Sequence, residues 1–412
     1  MSGFDVAKVK ADFPLLARTV NGGPIVYLDS AATAQKPQVV IDAMATYYET
    51  INANVHRGVY EIAEASTNAM EHARLRIGRF IGAPKPETEI LFSKNATESL
   101  NLVARSWGGA NLGPGDVVVL TQLEHHANIV PWFQLQAEKG FEIRWIPLTP
   151  DAQLDLTDID QLLTGAKLLS LTAMSNVTGT LTPVRELADR AHAAGALVCL
   201  DACQYVPHLA TDVVALGVDF AAFSGHKMLG PLGVGVLWAH EDLLEAMPPF
   251  LGGGGMILNV TMEGFVPAAL PAKFEAGTPP VAEIVGLHAA VDYLDALGMD
   301  AVRQHEIELT TYALQTLRDR FGNQLTIHGP NNPALRGGVL SLAMEGIHPH
   351  DLSQVMDEHA VCVRPGHHCA KPLMKMLGVG ATARASFYVY NDTADVDALA
   401  DALAKAASFF SF

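Results

Sequence analysis

The middle of the chain alternates two textures. Short apolar runs at residues 89–93, 117–120, 168–174, 197–201, 218–223 and 233–238 predict strands. Several are continuously apolar rather than alternating, the pattern of strands covered on both faces. Between them apolar residues recur at helical spacing. In residues 182–194, Val184, Leu187, Ala188 and Ala191 share one face, with Thr182 expected as the N-cap, Pro183 at the first helical position and Gly195 as the stop. Strand, helix, strand in this order predicts an α/β fold with a largely parallel sheet. Past residue 296 or so the texture changes, with strands expected at 339–343 and 360–364 and helices at 301–321 and 393–409. The division expected is an N-terminal arm, 1–24, joining the small domain; a large domain, 25–295; and a smaller α+β domain, 296–412.

Composition narrows the class. Of 412 residues, 49% are hydrophobic and 17% charged, against about 25% charged in an average domain. Such a chain buries an unusual share of its surface, in a large core or a subunit interface. The net charge of −17, from 27 basic against 44 acidic residues, argues against a nucleic-acid partner, which demands a basic footprint. No apolar run approaches the roughly 18 residues of a membrane span. The opening segment is mixed in polarity, unlike a secretory leader, and 4 cysteines are too few for a disulfide scaffold. A cytoplasmic enzyme is the expectation.

The sharpest local signal is Ser224-Gly225-His226-Lys227, directly after a predicted strand. In open α/β sheets the carboxyl ends of strands are where ligands bind. Alone it reads as well as a surface lysine in a glycine-rich turn, but a second strand, 197–201, ends in Asp201. Lysine and aspartate at two strand ends are what pyridoxal 5'-phosphate needs: an amine for covalent attachment, and a carboxylate to keep the pyridine nitrogen protonated. Residues 94–99 follow a third strand and open a helix, where backbone N–H groups and the Thr97 hydroxyl suit a phosphate, unless Asn95 or Thr97 simply caps it. His125, beyond residues 117–120, could stack on a cofactor ring or move protons. Around Cys369, Arg364, His367 and His368 are expected to favour the thiolate. Cys199, Cys203 and Cys362 look inert, and Arg384 suits a carboxylate. No metal-ligand spacing stands out.

Taken with Ala11-Asp12-Phe13-Pro14, Tyr27-Leu28-Asp29-Ser30-Ala31-Ala32, Val55-His56-Arg57-Gly58, Glu124-His125-His126-Ala127-Asn128, Phe274-Glu275-Ala276-Gly277-Thr278-Pro279 and Gly366-His367-His368-Cys369-Ala370, these segments identify a resemblance that runs nearly end to end. The chain resembles the SUF-type (group II) cysteine desulfurases, in the class V aminotransferase group of fold-type-I pyridoxal-phosphate enzymes. The resemblance implies a large, mostly parallel sheet covered by helices plus a smaller α+β domain, and conversion of L-cysteine to L-alanine with sulfur passed to Cys369 as a persulfide. It implies that Lys227 holds the cofactor covalently, Asp201 its pyridine nitrogen, Gln204 its phenolate oxygen, and Thr97, Ser224 and His226 its phosphate, with Thr278 supplied by a second copy in a homodimer. His125 would stack on the ring and assist proton transfer. Asn176 and Arg384 would grip the substrate carboxylate, with Ala31, His56 and Arg364 nearby. Ala96 and Pro365 depart from the family pattern, the first removing a phosphate hydroxyl and the second stiffening the cysteine loop. A short tether after Arg364, at most roughly 17 Å extended, implies a recessed persulfide and a small dedicated SUF-type acceptor protein. A selenocysteine lyase, with L-selenocysteine as substrate, or another class V enzyme, an aminotransferase or kynureninase-like hydrolase, is the alternative.

Overall fold

A computed structural model describes residues 5–410. Seven strands form the large sheet: β1 (Ile90–Ser93), β2 (Val117–Thr121), β3 (Glu142–Ile146), β4 (Ala166–Thr172), β5 (Leu197–Asp201), β6 (Phe220–Ser224) and β7 (Gly235–Ala239). Their spatial order is β1-β7-β6-β5-β4-β2-β3. β7 pairs antiparallel with both neighbours, and the other pairings are parallel. Six carboxyl ends therefore share one edge of the sheet. β7 reverses because the link from β6 is too short for the dozen or more residues of a parallel crossover.

The continuous apolar runs are explained by two covered faces. Val117 and Val119 pack into one core with Met70 and Ile77 of helix Glu61–Phe80 and Ile284 and Leu287 of helix Val281–Leu297. Val118 and Leu120 face the opposite core with Leu100, Trp107 and Trp132. Each such side chain contributes about 1.5–3 kcal/mol by leaving water.

Three local expectations are corrected. Residues 142–146 form a strand that was not expected, because Glu-Ile-Arg-Trp-Ile mixes charged with apolar residues, lacks the continuous apolar run of the other strands and is only partly buried at the sheet edge. Thr182 does not cap its helix, which runs Val184–Ala193; its hydroxyl donates to the carbonyls of Thr172 and Ala173 instead. Gly195, at φ +81°, does follow the helix end. Residues 360–364 are not one strand, because the chain changes sheets there. Val361–Cys362 pairs in parallel with Val26–Tyr27, whereas the next strand begins at Arg364.

The smaller sheet is antiparallel, with β8 (Leu325–His328), β9 (Val339–Met344), β10 (Arg364–Gly366) and β11 (Thr382–Ser386) in the order β8-β9-β11-β10. Pro365, which has no N–H to give, lies on its edge strand. Helices Met299–Phe321, Pro349–Glu358 and Thr393–Phe410 contribute Leu314, Leu352 and Leu399 to this core, which Val26 and Leu28 also enter. A division at 296 would fall at the end of helix Val281–Leu297. Near the N-terminus the Lys10 ammonium pairs with Asp392 and, at 2.8 Å, with Asp395.

Candidate active site

Between the carboxyl edge of the large sheet and the smaller sheet lies a cavity of about 210 Å³. Ala31, Thr97, His125, Asn176, Asp201, Gln204, Ser224, His226, Lys227, Arg364, Cys369 and Arg384 line it. Two expected residues are not brought to it. Thr278 lines a separate cleft with Phe92, Lys94 and Phe250. His56 is exposed, and its backbone N–H donates to Thr67 Oγ1. Within one chain neither reaches the cavity, because each sits on a surface loop of the large domain.

One end of the cavity suits an oxyanion. After β1, Asn95 Oδ1 accepts from the Glu98 N–H at 3.0 Å, capping helix Ala96–Leu102, so the capping expectation holds for Asn95. The Ala96 N–H donates to Ser224 Oγ at 2.9 Å, which leaves the serine's own proton free to donate elsewhere. Burial pushes the His226 imidazole down to about 4, and its Nδ1 is buried without a hydrogen-bond partner. A neutral ring with an unmet polar atom, two hydroxyls and a helix start fit a phosphate-bearing group. The packing behind them is tight: a Cβ on Gly235 would lie 2.5 Å from Asn95 Cα.

In the middle, Asp201 ends β5 nearly buried, its Oδ1 accepting from the Cys203 N–H at 3.1 Å. Gln204 donates from Nε2 to the Ala31 carbonyl at 2.8 Å, which fixes its amide at the wall. His125 Nδ1 accepts from the Ala127 N–H at 3.0 Å, so the ring's proton sits on Nε2. Burial, reinforced by the Lys227 charge, pushes this imidazole down to about 4. Beneath it Glu124, for which no role was expected, is fully buried and accepts from Thr121 Oγ1, Asn128 Nδ2 and the Thr172 N–H. Burial pushes its carboxyl up to about 8 against those three donors.

The far end carries the guanidinium and the thiol. Arg384 is fully buried on β11, donating from Nη1 to the Asn176 carbonyl at 2.9 Å and from Nη2 to Asp29 Oδ1 at 3.0 Å. Its Nε is buried without a hydrogen-bond partner. Asp29 was missed as a site residue; its only sign in the sequence is its place in Tyr27-Leu28-Asp29-Ser30. Asn176 lines the cavity as expected, and its Nδ2 also donates to the His368 carbonyl at 2.8 Å, which holds the cysteine turn. For His368, beside Cys369, the expectation of a charged imidazole is corrected. His368 Nε2 is within 2.9 Å of Thr382 Oγ1, and burial with the nearby Arg384 charge pushes the ring down to about 3. It is neutral, so it brings no positive charge to the thiol, whereas the Arg384 guanidinium interacts electrostatically with Cys369. The tether is shorter than expected, since β10 extends through Gly366 and leaves only His367 and His368 before Cys369. Cys203 also touches the cavity, but burial and Asp201 push its thiol above the usual range. Burial pushes Cys199 up to about 12.

Among the described residues no helix is long and apolar enough to cross a membrane, and no group of three or more His, Cys, Asp or Glu could hold a metal. A family model described as aminotransferase class-V matches residues 26–399. A probable cysteine desulfurase of Streptomyces coelicolor is 49% identical over 98% of each chain. A probable cysteine desulfurase 2 of Mycobacterium leprae is 49% identical over 100% of this chain and 98% of its own. The apo structure of a cysteine desulfurase from Thermococcus onnurineus superposes with a TM-score of 0.93 at 37% identity, covering 99% of this chain and 100% of its own.

Proposed function

Because the chain belongs to the class-V aminotransferase family, we propose that it is a pyridoxal-phosphate-dependent cysteine desulfurase that converts L-cysteine to L-alanine and takes the sulfur onto Cys369. The observation that carries this reading is that Lys227, Asp201 and Cys369 line one cavity. Lys227 would hold the cofactor covalently, Asp201 its ring nitrogen, and Ser224, His226 and Thr97 its phosphate. When bound, the cofactor supplies an electron sink that stabilises a carbanion next to the substrate carboxylate.

The chain's own groups do the rest. Arg384 meets the substrate carboxylate, with the bonds to Asp29 and the Asn176 carbonyl fixing the guanidinium plane. The Lys227 amine takes the α-proton. The Cys369 thiolate attacks the substrate sulfur: an S–S bond forms, the C–S bond breaks, and its electron pair stays with carbon. Neutral His125, with its proton on Nε2, is placed to deliver a proton to the three-carbon product before it leaves as alanine.

A homodimer completes the reading. Val59, Leu258 and Met262 are strongly exposed in the single chain, at 102%, 76% and 99%. Thr278, away from its own cavity, would serve the partner's phosphate site. The enzyme would act in the cytoplasm, supplying sulfur for iron–sulfur cluster assembly through a SUF-type acceptor protein. A hollow outside Cys369, lined by Asn101, His126, Val130 and Gln134, would admit the acceptor's thiol. The test is to supply cysteine to the purified holoenzyme and measure alanine together with the persulfide mass on the Cys369 peptide. Equal early yields are expected, followed by slow turnover that a small acceptor protein accelerates. Alanine without a Cys369 persulfide would overturn the assignment, and a strong preference for selenocysteine would turn it toward the lyase.

A further inference from the structure

His126 takes no part in the chemistry above, yet it is bonded twice to the cysteine turn. Its backbone N–H donates to the Cys369 carbonyl at 2.7 Å. Its Nε2 accepts from the Lys371 N–H at 3.0 Å. Lys371 opens the helix Lys371–Met376, whose N-cap position, Ala370, has no side chain able to cap it. A first-turn N–H of a helix needs an acceptor from outside, and here an imidazole from far earlier in the chain provides it.

The turn held this way is one that ordinary residues resist. His368 at φ +51° and Cys369 at φ +55° are consecutive left-handed residues, and neither is glycine. Such conformations persist only where the surroundings over-determine them. The surroundings do so from three directions: Asn176 on the His368 carbonyl, Thr382 on the His368 ring, and His126 on the Cys369 carbonyl and the Lys371 N–H. The first two hold His368; among the described residues, His126 is the partner from the large domain that bonds to Cys369 and Lys371.

We propose that His126 is a positioning residue for Cys369, its neutral imidazole capping the helix Lys371–Met376 and so holding the thiol's turn against the cavity wall. Protonation at Nε2 would replace the acceptor with a donor and release the cap. The groups facing the ring are His125 on its own element, His367 at 5.8 Å between ring centroids, and Lys371 across from it. Burial and the charges of His367 and Lys371 hold the imidazole below its usual range. The cap therefore persists at neutral pH and is lost on acidification.

The proposal rests on Cys369 being the sulfur acceptor, and the test separates the two. Wild type, His126→Phe and His126→Gln are compared as holoenzymes. Glutamine keeps an acceptor at similar reach and does not titrate. Two rates are read by peptide mass spectrometry: persulfide formation on Cys369 in a single turnover, and iodoacetamide alkylation of Cys369 in the resting enzyme. In His126→Phe, persulfide formation should slow and alkylation should change by roughly fivefold to tenfold, the size of one hydrogen bond. His126→Gln should match wild type at neutral pH and lack the extra slowing that mild acid imposes on wild-type persulfide formation. A phenylalanine variant indistinguishable from wild type in both rates, or a glutamine variant that behaves like phenylalanine, would overturn the proposal. If His126→Phe does not fold, the comparison of glutamine with wild type across pH decides alone. Undiminished alanine from Cys369→Ser would defeat the acceptor reading while the alkylation rates still judge the cap.

Discussion

The two walls of the cavity are built on different plans. On the large-sheet wall, Asp201 and Ser224 are the last residues of central strands, and Lys227 follows three residues later. Their positions are those of a close-packed sheet, and moving them means disturbing its core. On the opposite wall Arg384 stands inside the smaller sheet on β11, but the His368-Cys369 turn is held by individual hydrogen bonds to Asn176, His126 and Thr382. The first wall is rigid by construction. The second carries, in the cysteine turn, a set of latches that can be undone singly.

If that contrast is right, substitutions on the two walls should separate cleanly. Lys227→Ala is expected to have the largest effect, abolishing turnover and covalent cofactor while leaving the alkylation of Cys369 intact. Borohydride reduction and mass spectrometry check it, and a pyridoxyl mass on a different lysine would break the assignment. Cys369→Ser should do the converse. It should retain the yellow holoenzyme and its colour change with cysteine, but release alanine more slowly by on the order of 10³-fold. Loss of colour in that variant would mean the walls are not independent.

Gly235→Ala sharpens the first half of the comparison. The new methyl would meet the Asn95 backbone, and overpacking of this kind costs about 1–3 kcal/mol. The helix start at the phosphate end should shift, and cofactor affinity should fall by roughly tenfold to a hundredfold in a fluorescence titration, with Cys369 alkylation unchanged.

The smallest effect belongs to both walls. His125 and His226 on one, and His368 on the other, are held neutral far below the ordinary imidazole value, while in the unfolded chain they titrate near 6.5. Between about pH 6.5 and 4 the unfolded state binds more protons, so stability must fall as pH falls through that window. Thermal melting at stepped pH should show the decline, and His368→Gln should make it shallower.

The same contrast explains what could be read in the sequence. Asp201 and Lys227 were legible because each follows an apolar run by a fixed step, so strand and functional group announce each other. Most of the large sheet was legible for the same reason. β3 was not, since an edge strand with one solvated side carries little apolar signal. Nor was the reversal of β7, which depends on how the chain turns after Lys227. On the second wall Cys369 and Arg384 showed as chemistry, but their partners did not. Nothing near Arg384 in the chain points to Asp29, 355 residues away, and nothing near Asn176 tells which atom its amide will meet. The charge expected from His368 failed because burial, which local sequence does not encode, keeps the ring neutral.

The bridging of the chain's two ends has a kinetic consequence. Lys10 finds Asp395 across 385 residues and Asp29 finds Arg384 across 355. Contacts of such separation form late, because loop closure must precede any gain from them. During synthesis the large sheet and the helix Val281–Leu297 that covers one of its faces emerge well before β11 exists, so the Lys227 wall precedes the thiol wall. The chain therefore lays down the wall that carries Lys227 before the wall that carries Cys369, and the last stretch of polypeptide closes the cavity between them.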